Sequence, residues 1–199
     1  MKLYKLTDQN SQTHNKTQWG EEGITHHVKK EIKNPDLCSG DVIHAYKDIH
    51  LAYLLNPIHG GYKNPLCYEA EGDIVIEDWG KVGCYELTTM KQIPKPDWVD
   101  SKDEWKVRLR FAILCAKEVQ HLNTDERIVK AIQMAENYLN NPPEWTAEAA
   151  WMAVRTVEAA KMAARAAEAA EAAEAAARTA KAAGIKIDFI KLAKTAVTF

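Results

Sequence analysis

The stretch LCSGDVIHAYKDIHLAYLLNPIHGGY, residues 37–62, contains three histidines, three tyrosines and two adjacent glycines. Histidine is the side chain whose unperturbed pKa lies closest to neutrality, and tyrosine offers a flat ring with a hydroxyl group. Adjacent glycines let the backbone approach a bound molecule closely. This combination suits a nucleobase, a nucleotide or a peptide better than an ion. The candidate ligand-binding residues are His44, Tyr46, His50, Tyr53, His59, Gly60, Gly61 and Tyr62.

The spacing of the three histidines does not indicate a metal site. His44 and His50 are six residues apart, whereas two ligands on one helical face are four apart, and no HExxH motif occurs. Each histidine also has an ordinary structural explanation: His50 on the outer face of a helix, His44 bonding backbone at a strand end, and His59 in a glycine-supported loop. We keep His59 as the preferred site residue, because loops carry function more often than cores. We expect neither a metal nor another cofactor.

Glu69 and Glu71 in CYEAEG form the candidate catalytic pair if the protein is an enzyme. Residues two apart on a strand point to the same face, so the two carboxyl groups could act together as acid and base. A solvated sheet face explains them equally well. The Glu-x-Glu pattern resembles the catalytic strand of arginine-directed ADP-ribosyltransferases, and this resemblance implies a nucleotide-handling enzyme. The chain differs from that family in two respects: its first strand, KLYKLT, has no arginine, and the hydroxyl-rich LTT follows the glutamates instead of preceding them.

The composition argues against two classes of partner. The 199 residues carry a formal net charge of −2 with acids and bases mixed along the chain, so no basic stripe is available for duplex nucleic acid. The N-terminal MKLYKLTDQN lacks the apolar core of a signal peptide, and no stretch approaches the roughly 20 apolar residues that span a bilayer. We therefore expect a soluble protein without a membrane partner, located in the cytoplasm. The four cysteines form no Cys-x-x-Cys pair, so reduced and mostly buried thiols are expected.

The predicted secondary structure changes from mainly strands to helices at IPKPDW. Two prolines there interrupt both helix and sheet, so the sequence predicts an α+β module over residues 1–96 and a helical region over residues 97–199. In the module, the β-prone runs KLYKLT, LCYEAEG, DIVIED and KVGCYELTTMKQI predict a small, mainly antiparallel sheet. Between the first two runs, KDIHLAYLLNP predicts one helix that packs on the sheet. Asp48 is its predicted cap, and Pro57 is predicted to end it.

After the boundary every pattern is helical. The predicted helices cover about residues 102–121, 125–140, 147–183 and 188–197. Ser101 and Glu104 have the spacing of a capping box at the start of the first helix, and Thr124 is the predicted cap of the second. Gly184 is predicted to end the third, because glycine readily takes the left-handed conformation that terminates helices.

The third predicted helix is rich in alanine and glutamate, which are good helix formers. Its charged residues recur every three or four positions with a mean period below 3.6, so its alanine face winds left-handed around the helix. Two interpretations stay open: the helix folds against the other helices of the chain, or it is an arm that pairs with a second copy or another protein. We expect a homo-oligomer formed through this helical region.

A family of uncharacterised phage and prophage proteins resembles this chain in five stretches: LYKLTDQN, LCSGDVIHAYKDIHLAYLLNPIHGGYKNP, YEAEG, KVGCYELTT and VRLRFAILCAKEV. Alanine-glutamate helices follow them, so the resemblance covers most of the chain. It implies a phage accessory protein that acts on host physiology, with counter-defence as a specific version. From it we expect a binding protein that captures a nucleotide-like signal or a host protein. The alternative is an ADP-ribosyltransferase-like enzyme in which Glu69 and Glu71 stabilise developing positive charge.

Overall fold

The structure is a computed structural model that describes residues 1–20, 23–122, 126–140 and 170–198. The chain divides into two compact units, Met1–Val99 and Asp100–Phe199. In the described residues the first unit contains every strand and one α-helix, and the second contains α-helices. The α+β class predicted from the sequence is confirmed. Within the described ranges, no helix combines the length and the apolar character needed to cross a membrane.

The first unit is built on a mainly antiparallel sheet. Its strands are β1 Lys2–Thr7, β2 Gln12–Thr13, β3 Thr17–Gln18, β4 Ile24–His27, β5 Ile43–Tyr46, β6 Leu66–Glu71, β7 Ile74–Asp78, β8 Lys81–Cys84 and β9 Glu86–Ile93. Seven of them form one sheet in the order β4-β9-β6-β1-β5-β8-β7, and β2 pairs with β3 in a separate ribbon. β1 is therefore the central strand.

The β-prone run KVGCYELTTMKQI forms two strands of the sheet, β8 and β9. Tyr85 alone separates β8 from β9, yet β8 pairs with β5 and β7 while β9 pairs with β6 and β4. In the strand order, β8 and β9 are four positions apart, which in a flat sheet would be about 19 Å. The chain from Cys84 to Glu86, however, can span at most about 7 Å. The sheet therefore curls, and its two flanks meet at Tyr85.

The inner face of this curl forms the core of the first unit. Side chains from both flanks meet there in one cluster of buried residues: Leu3, Trp19, Ala45, Ala70, Val82, Cys84 and Leu87. Because residues alternate between faces along a strand, the neighbours of these positions point outward. The helix α1, Ile49–His59, packs on the outer face of the sheet and contacts β1 and β5.

The predicted cap of α1 is confirmed, but its predicted end is wrong. The Asp48 carboxylate accepts a hydrogen bond from the backbone N–H of Leu51 at 3.0 Å. Pro57 lies inside the helix, which continues to His59. Proline at this position removes one backbone donor from the last turn of the helix. The carbonyl of Asn56 accepts the N–H groups of both Gly60 and Gly61, at 2.9 and 2.6 Å, and this closes the helix.

In the second unit the described helices are α2 Glu104–Gln120, α3 Glu126–Asn140, α4 over residues 170–182, and α5 Phe189–Val197. The predicted capping box is wrong, because α2 begins two residues later than expected and its N-cap is Asp103. The Glu104 carboxylate instead accepts from the N–H of Asp100, and the Ser101 hydroxyl accepts from the N–H of Asp103. The predicted cap at Thr124 and the third predicted helix before residue 170 lie outside the described residues.

The described end of the alanine-rich helix confirms the predicted stop at Gly184. This glycine has a φ of +68°, and its N–H donates to the carbonyl of Lys181 at 3.1 Å. The N–H of Ile185 donates to the carbonyl of Ala180 at 2.8 Å, which completes a Schellman motif. One face of α4 is buried and consists of alanines: Ala170, Ala173, Ala176, Ala177 and Ala180. Over residues 170–182 the alanine face is therefore covered within the chain itself.

Candidate functional site

The most specific contact among the predicted site residues joins Tyr46 of β5 to His59 of α1. The Tyr46 hydroxyl lies 2.8 Å from Nδ1 of His59, and the two rings are nearly parallel with centroids 6.0 Å apart. The packing of α1 on β1 and β5 brings the last turn of the helix over this strand. His59 was predicted in a loop, and this is wrong, because it is the last residue of α1. A helix and a strand therefore hold the pair in place.

Both partners of this contact are neutral at pH 7. Burial lowers the pKa of His59 to about 3, and the positive charge of Lys81 contributes in the same direction. Burial also raises the pKa of Tyr46 far above its usual value. Since neither ring carries a charge, the contact is a hydrogen bond between neutral groups and not an ion pair.

His44 lies beside Tyr46, because residues two apart on β5 share a face of the sheet. Its Nε2 lies 2.5 Å from the carbonyl oxygen of Leu37, so the predicted backbone bond at a strand end is present. Burial, followed by the charge of Lys81, lowers the pKa of His44 to about 4. His44 is therefore a second neutral imidazole next to the Tyr46–His59 pair.

The diglycine bend after α1 is held by the amide of Asn56. Its Nδ2 donates to the carbonyl of Tyr62 at 2.8 Å, and its Oδ1 accepts from the N–H of Tyr62 at 3.2 Å. Gly61 has a φ of +63°, in the left-handed region that favours glycine. A Cβ at Gly60 would lie 2.6 Å from the Tyr62 ring, so glycine allows that ring to lie across the bend. The half-buried Tyr62 ring lies 6.1 Å from the ring of His14.

Two of the predicted site residues have structural roles. Tyr53 is 1% exposed, and its hydroxyl donates to the carbonyl of Pro65 at 3.3 Å. A side chain with so little exposed surface offers almost nothing to a ligand, so we no longer count Tyr53 among the candidate ligand contacts. His50 is half-buried, and its Nδ1 accepts a hydrogen bond from Nε1 of Trp98 at 3.0 Å. His50 therefore anchors the segment that follows the sheet.

The structure thus brings together His44, Tyr46, His59 and Tyr62, which we call the histidine–tyrosine cluster. Tyr46 is 6% exposed and is the most buried member of the cluster, whereas His44, His59 and Tyr62 are each half-buried. The cluster is therefore a partly exposed surface. A concavity of about 440 Å³ lies along α5 in the second unit. Its lining includes two lysines and two threonines: Lys191, Lys194, Thr195 and Thr198.

Sequence reasoning missed two lysines near the cluster. Lys81 lies directly across the sheet from Tyr46 and lowers the pKa of both neutral histidines. Lys5 is 6% exposed, its Nζ donates to the carbonyl of His44 at 2.7 Å, and it lies 4.7 Å from the centre of the Trp19 ring. Burial lowers the pKa of Lys5 to about 7. The available signal was alternation, since Lys5 follows Leu3 by two positions and therefore points to the inner face.

The candidate catalytic glutamates occupy β6, which β1 separates from β5. Glu69 lies opposite Tyr4 of β1, and Tyr4 lies opposite Tyr46. Glu69 is paired with two lysines, at 2.6 Å from Nζ of Lys2 and 3.7 Å from Nζ of Lys91. The hydrogen bond from Lys2 lowers the pKa of Glu69, so its carboxyl group is ionised at neutral pH. Glu71 is exposed at the end of the strand. A permanently ionised Glu69 can stabilise positive charge but is a poor proton donor.

Comparison with known proteins finds no matching family model, no significant match among curated proteins and no significant match among solved structures.

Proposed function

We propose that this is a binding protein that captures a small planar ligand with hydrogen-bonding groups, such as a nucleobase-containing molecule, at the histidine–tyrosine cluster. The observation that carries the proposal is the 2.8 Å bond between the Tyr46 hydroxyl and His59. It fixes the orientation of a neutral imidazole whose other nitrogen is left for a ligand. Preorganised polar groups of this kind lower the entropic cost of binding.

The aromatic rings around the cluster support a planar ligand. Tyr62 is half-buried, its backbone is clamped by Asn56, and the ring of His14 lies 6.1 Å away. Stacking of a base on an aromatic side chain contributes about 1–3 kcal/mol. Lys81 adds positive charge close to His44 and His59, which suits a phosphate attached to such a base.

The biological role follows the context that the sequence resemblance implies. We propose that the protein acts for a phage in the cytoplasm of the host cell, where it lowers the free concentration of a nucleotide-like signal, in the manner of a counter-defence protein. Capture needs occupancy alone, without turnover. In the ADP-ribosyltransferase-like alternative, Glu69 would have to exchange its ion pairs with Lys2 and Lys91 for the developing positive charge of the substrate.

The first experiment is mass spectrometry of the small molecules released from the purified protein. Calorimetric titration with the released molecule, or with a panel of nucleoside monophosphates, then compares the wild type with His59→Ala. We expect the affinity to fall at least tenfold, because a buried polar contact is lost. His27→Ala is the matched control, since His27 lies on β4 outside the cluster and pairs with Glu86 on an exposed surface. Equal affinities for the wild type and His59→Ala would exclude the cluster as the site, and a host protein would then be the better candidate ligand.

The homo-oligomer predicted from the alanine-rich helix stays a prediction. The described alanine face, residues 170–182, is buried within the chain, and the rest of the predicted helix lies outside the described residues. Sedimentation equilibrium of the full chain tests the prediction. A monomer mass across the micromolar range would contradict it.

A further inference from the structure

The hydroxyl proton of Tyr46 has one acceptor among the described residues. Every buried side-chain nitrogen and oxygen in the described ranges has a hydrogen-bond partner, and the partner of the Tyr46 hydroxyl is Nδ1 of His59 at 2.8 Å. If Nδ1 carried the proton, it would donate to the Tyr46 oxygen, and the Tyr46 hydroxyl proton would have to point away from His59, where no described residue offers it an acceptor. Tyr46 therefore donates and Nδ1 accepts. The single proton of the neutral His59 ring must then lie on Nε2.

The proton of His44 is fixed by a different partner. A carbonyl oxygen can only accept, so Nε2 of His44 must donate to Leu37 across their 2.5 Å contact. Nδ1 of His44 is then an acceptor without a proton. The two imidazoles have the same tautomer, but opposite nitrogens are engaged by the protein. Among the described residues, Nε2 of His59 and Nδ1 of His44 have no hydrogen-bond partner, so His59 offers a donor to a ligand and His44 offers an acceptor.

These two atoms belong to one surface. His44 and Tyr46 share the outer face of β5, and His59 contacts Tyr46 on that face. A donor and an acceptor on the same face of the sheet complement an acceptor and a donor on the ligand. Nucleobase edges present such patterns, for example the ring nitrogen and the adjacent exocyclic amino group of adenine. Phosphate oxygens, which only accept, would leave the acceptor of His44 unused.

We propose that the cluster recognises the donor–acceptor edge of an amino-substituted nucleobase, with His59 Nε2 donating to a ring nitrogen and His44 Nδ1 accepting from the exocyclic amino group. Tyr46 is a positioning residue that sets the tautomer of His59. This inference rests on the proposed function and adds the chemical class of the ligand. It also explains why burial is useful here, since two histidines held neutral keep this pattern unchanged across physiological pH.

The tautomers are tested first, by ¹⁵N-detected NMR of the full chain labelled on histidine. We expect both His44 and His59 to show a protonated Nε2 and an unprotonated Nδ1 at pH 7. In Tyr46→Phe, His59 should become a mixture of tautomers while His44 keeps its own. Tyr68→Phe is the control, because Tyr68 is also a buried tyrosine, with its hydroxyl bonded to Ser11. A protonated Nδ1 on either histidine in the wild type would overturn the inference.

Ligand selection is tested by titrating adenosine against purine riboside, which lacks the exocyclic amino group. We expect adenosine to bind at least tenfold more tightly to the wild type, and this preference to fall below threefold in His44→Ala. Tyr46→Phe should weaken the binding of both nucleosides and keep the preference, because both present the ring nitrogen that His59 contacts. Equal wild-type affinities for the two nucleosides would overturn the inference while leaving nucleobase capture intact. Failure of adenosine, guanosine and cytidine all to bind would overturn the proposed function together with the inference.

Discussion

Replacing Lys5 by methionine should make the first unit more stable, and by an amount that depends on pH. Lys5 is 6% exposed, with one hydrogen bond to the His44 carbonyl and one ring contact with Trp19. Methionine has a similar length and carries no charge, so it fills the same space without the cost of burying an ammonium group. The effect should be largest where the lysine is still protonated in the folded protein.

The sign follows from the two pKa values of Lys5. Burial lowers the folded-state pKa to about 7, whereas the unfolded chain has the ordinary value of 10.5. Between these values the unfolded state binds more protons, so stability rises with pH across this window. Below pH 7 both states are protonated, and the burial cost is present in full. From pH 6 to pH 8.5 the titration of Lys5 should raise the free energy of unfolding of the wild type by about 2 kcal/mol, at roughly 1.4 kcal/mol per pKa unit.

The assay is urea unfolding at pH 6, 7 and 8.5, followed through NMR resonances of the first unit. Subtracting the free energy of unfolding of Lys5→Met from that of the wild type cancels titrating groups that do not interact with Lys5, such as Cys67, whose pKa burial raises to about 12. Cys84 does interact with the charge of Lys5, but burial raises its pKa to about 11, so it keeps its proton in the folded protein over this range. Lys2→Met is the matched control on the same strand, since Lys2 is exposed, and its pKa is raised by the hydrogen bond to Glu69. The difference in free energy of unfolding between the wild type and Lys2→Met should be constant from pH 6 to pH 8.5. A wild-type minus Lys5→Met difference that is equal at pH 6 and pH 8.5 would refute the buried-amine argument.

Three further predictions concern the helices and the bend. Asp48→Ala should lower the free energy of unfolding by about 1 kcal/mol, measured by urea titration, because it removes the N-cap of α1. Gly60→Ala should displace the Tyr62 ring, which would otherwise lie 2.6 Å from the new Cβ; the aromatic NMR shifts of Tyr62 should change, and an unchanged ring would contradict the packing. Ala177→Leu should destabilise the second unit by about 1–3 kcal/mol through overpacking, because Ala177 is 1% exposed; the control Ala175→Leu lies on the exposed face and should leave the thermal midpoint nearly unchanged.

Elements with local signals could be predicted from the sequence. The strands β1 and β6 alternate and are bounded by turn residues, Asp48 precedes α1 as a capping residue, and Gly184 supplies the left-handed end of α4. Each signal involves residues only a few positions apart. The strand β5, by contrast, is the short run IHAY, and its pairing partners come from distant parts of the chain.

The candidate site shows the same division between local and long-range information. Composition pointed to His44, Tyr46, His59 and Tyr62, but the contact between Tyr46 and His59 depends on how α1 packs on the sheet. The roles of Lys5 and Lys81 were missed for a related reason. Their influence on the histidines comes from strand pairing, which periodicity along one segment cannot reveal.

The single-residue connection at Tyr85 restricts how this chain can be altered in the laboratory. One inserted residue there would shift the pairing of β9 by one position and exchange its two faces. Leu87 and Thr89, now fully buried, would turn to water, while Glu86 would turn into the core. Affinity tags, fluorescent labels or epitope insertions are therefore better accepted at the exposed residues 29–31, where the chain runs outside any strand.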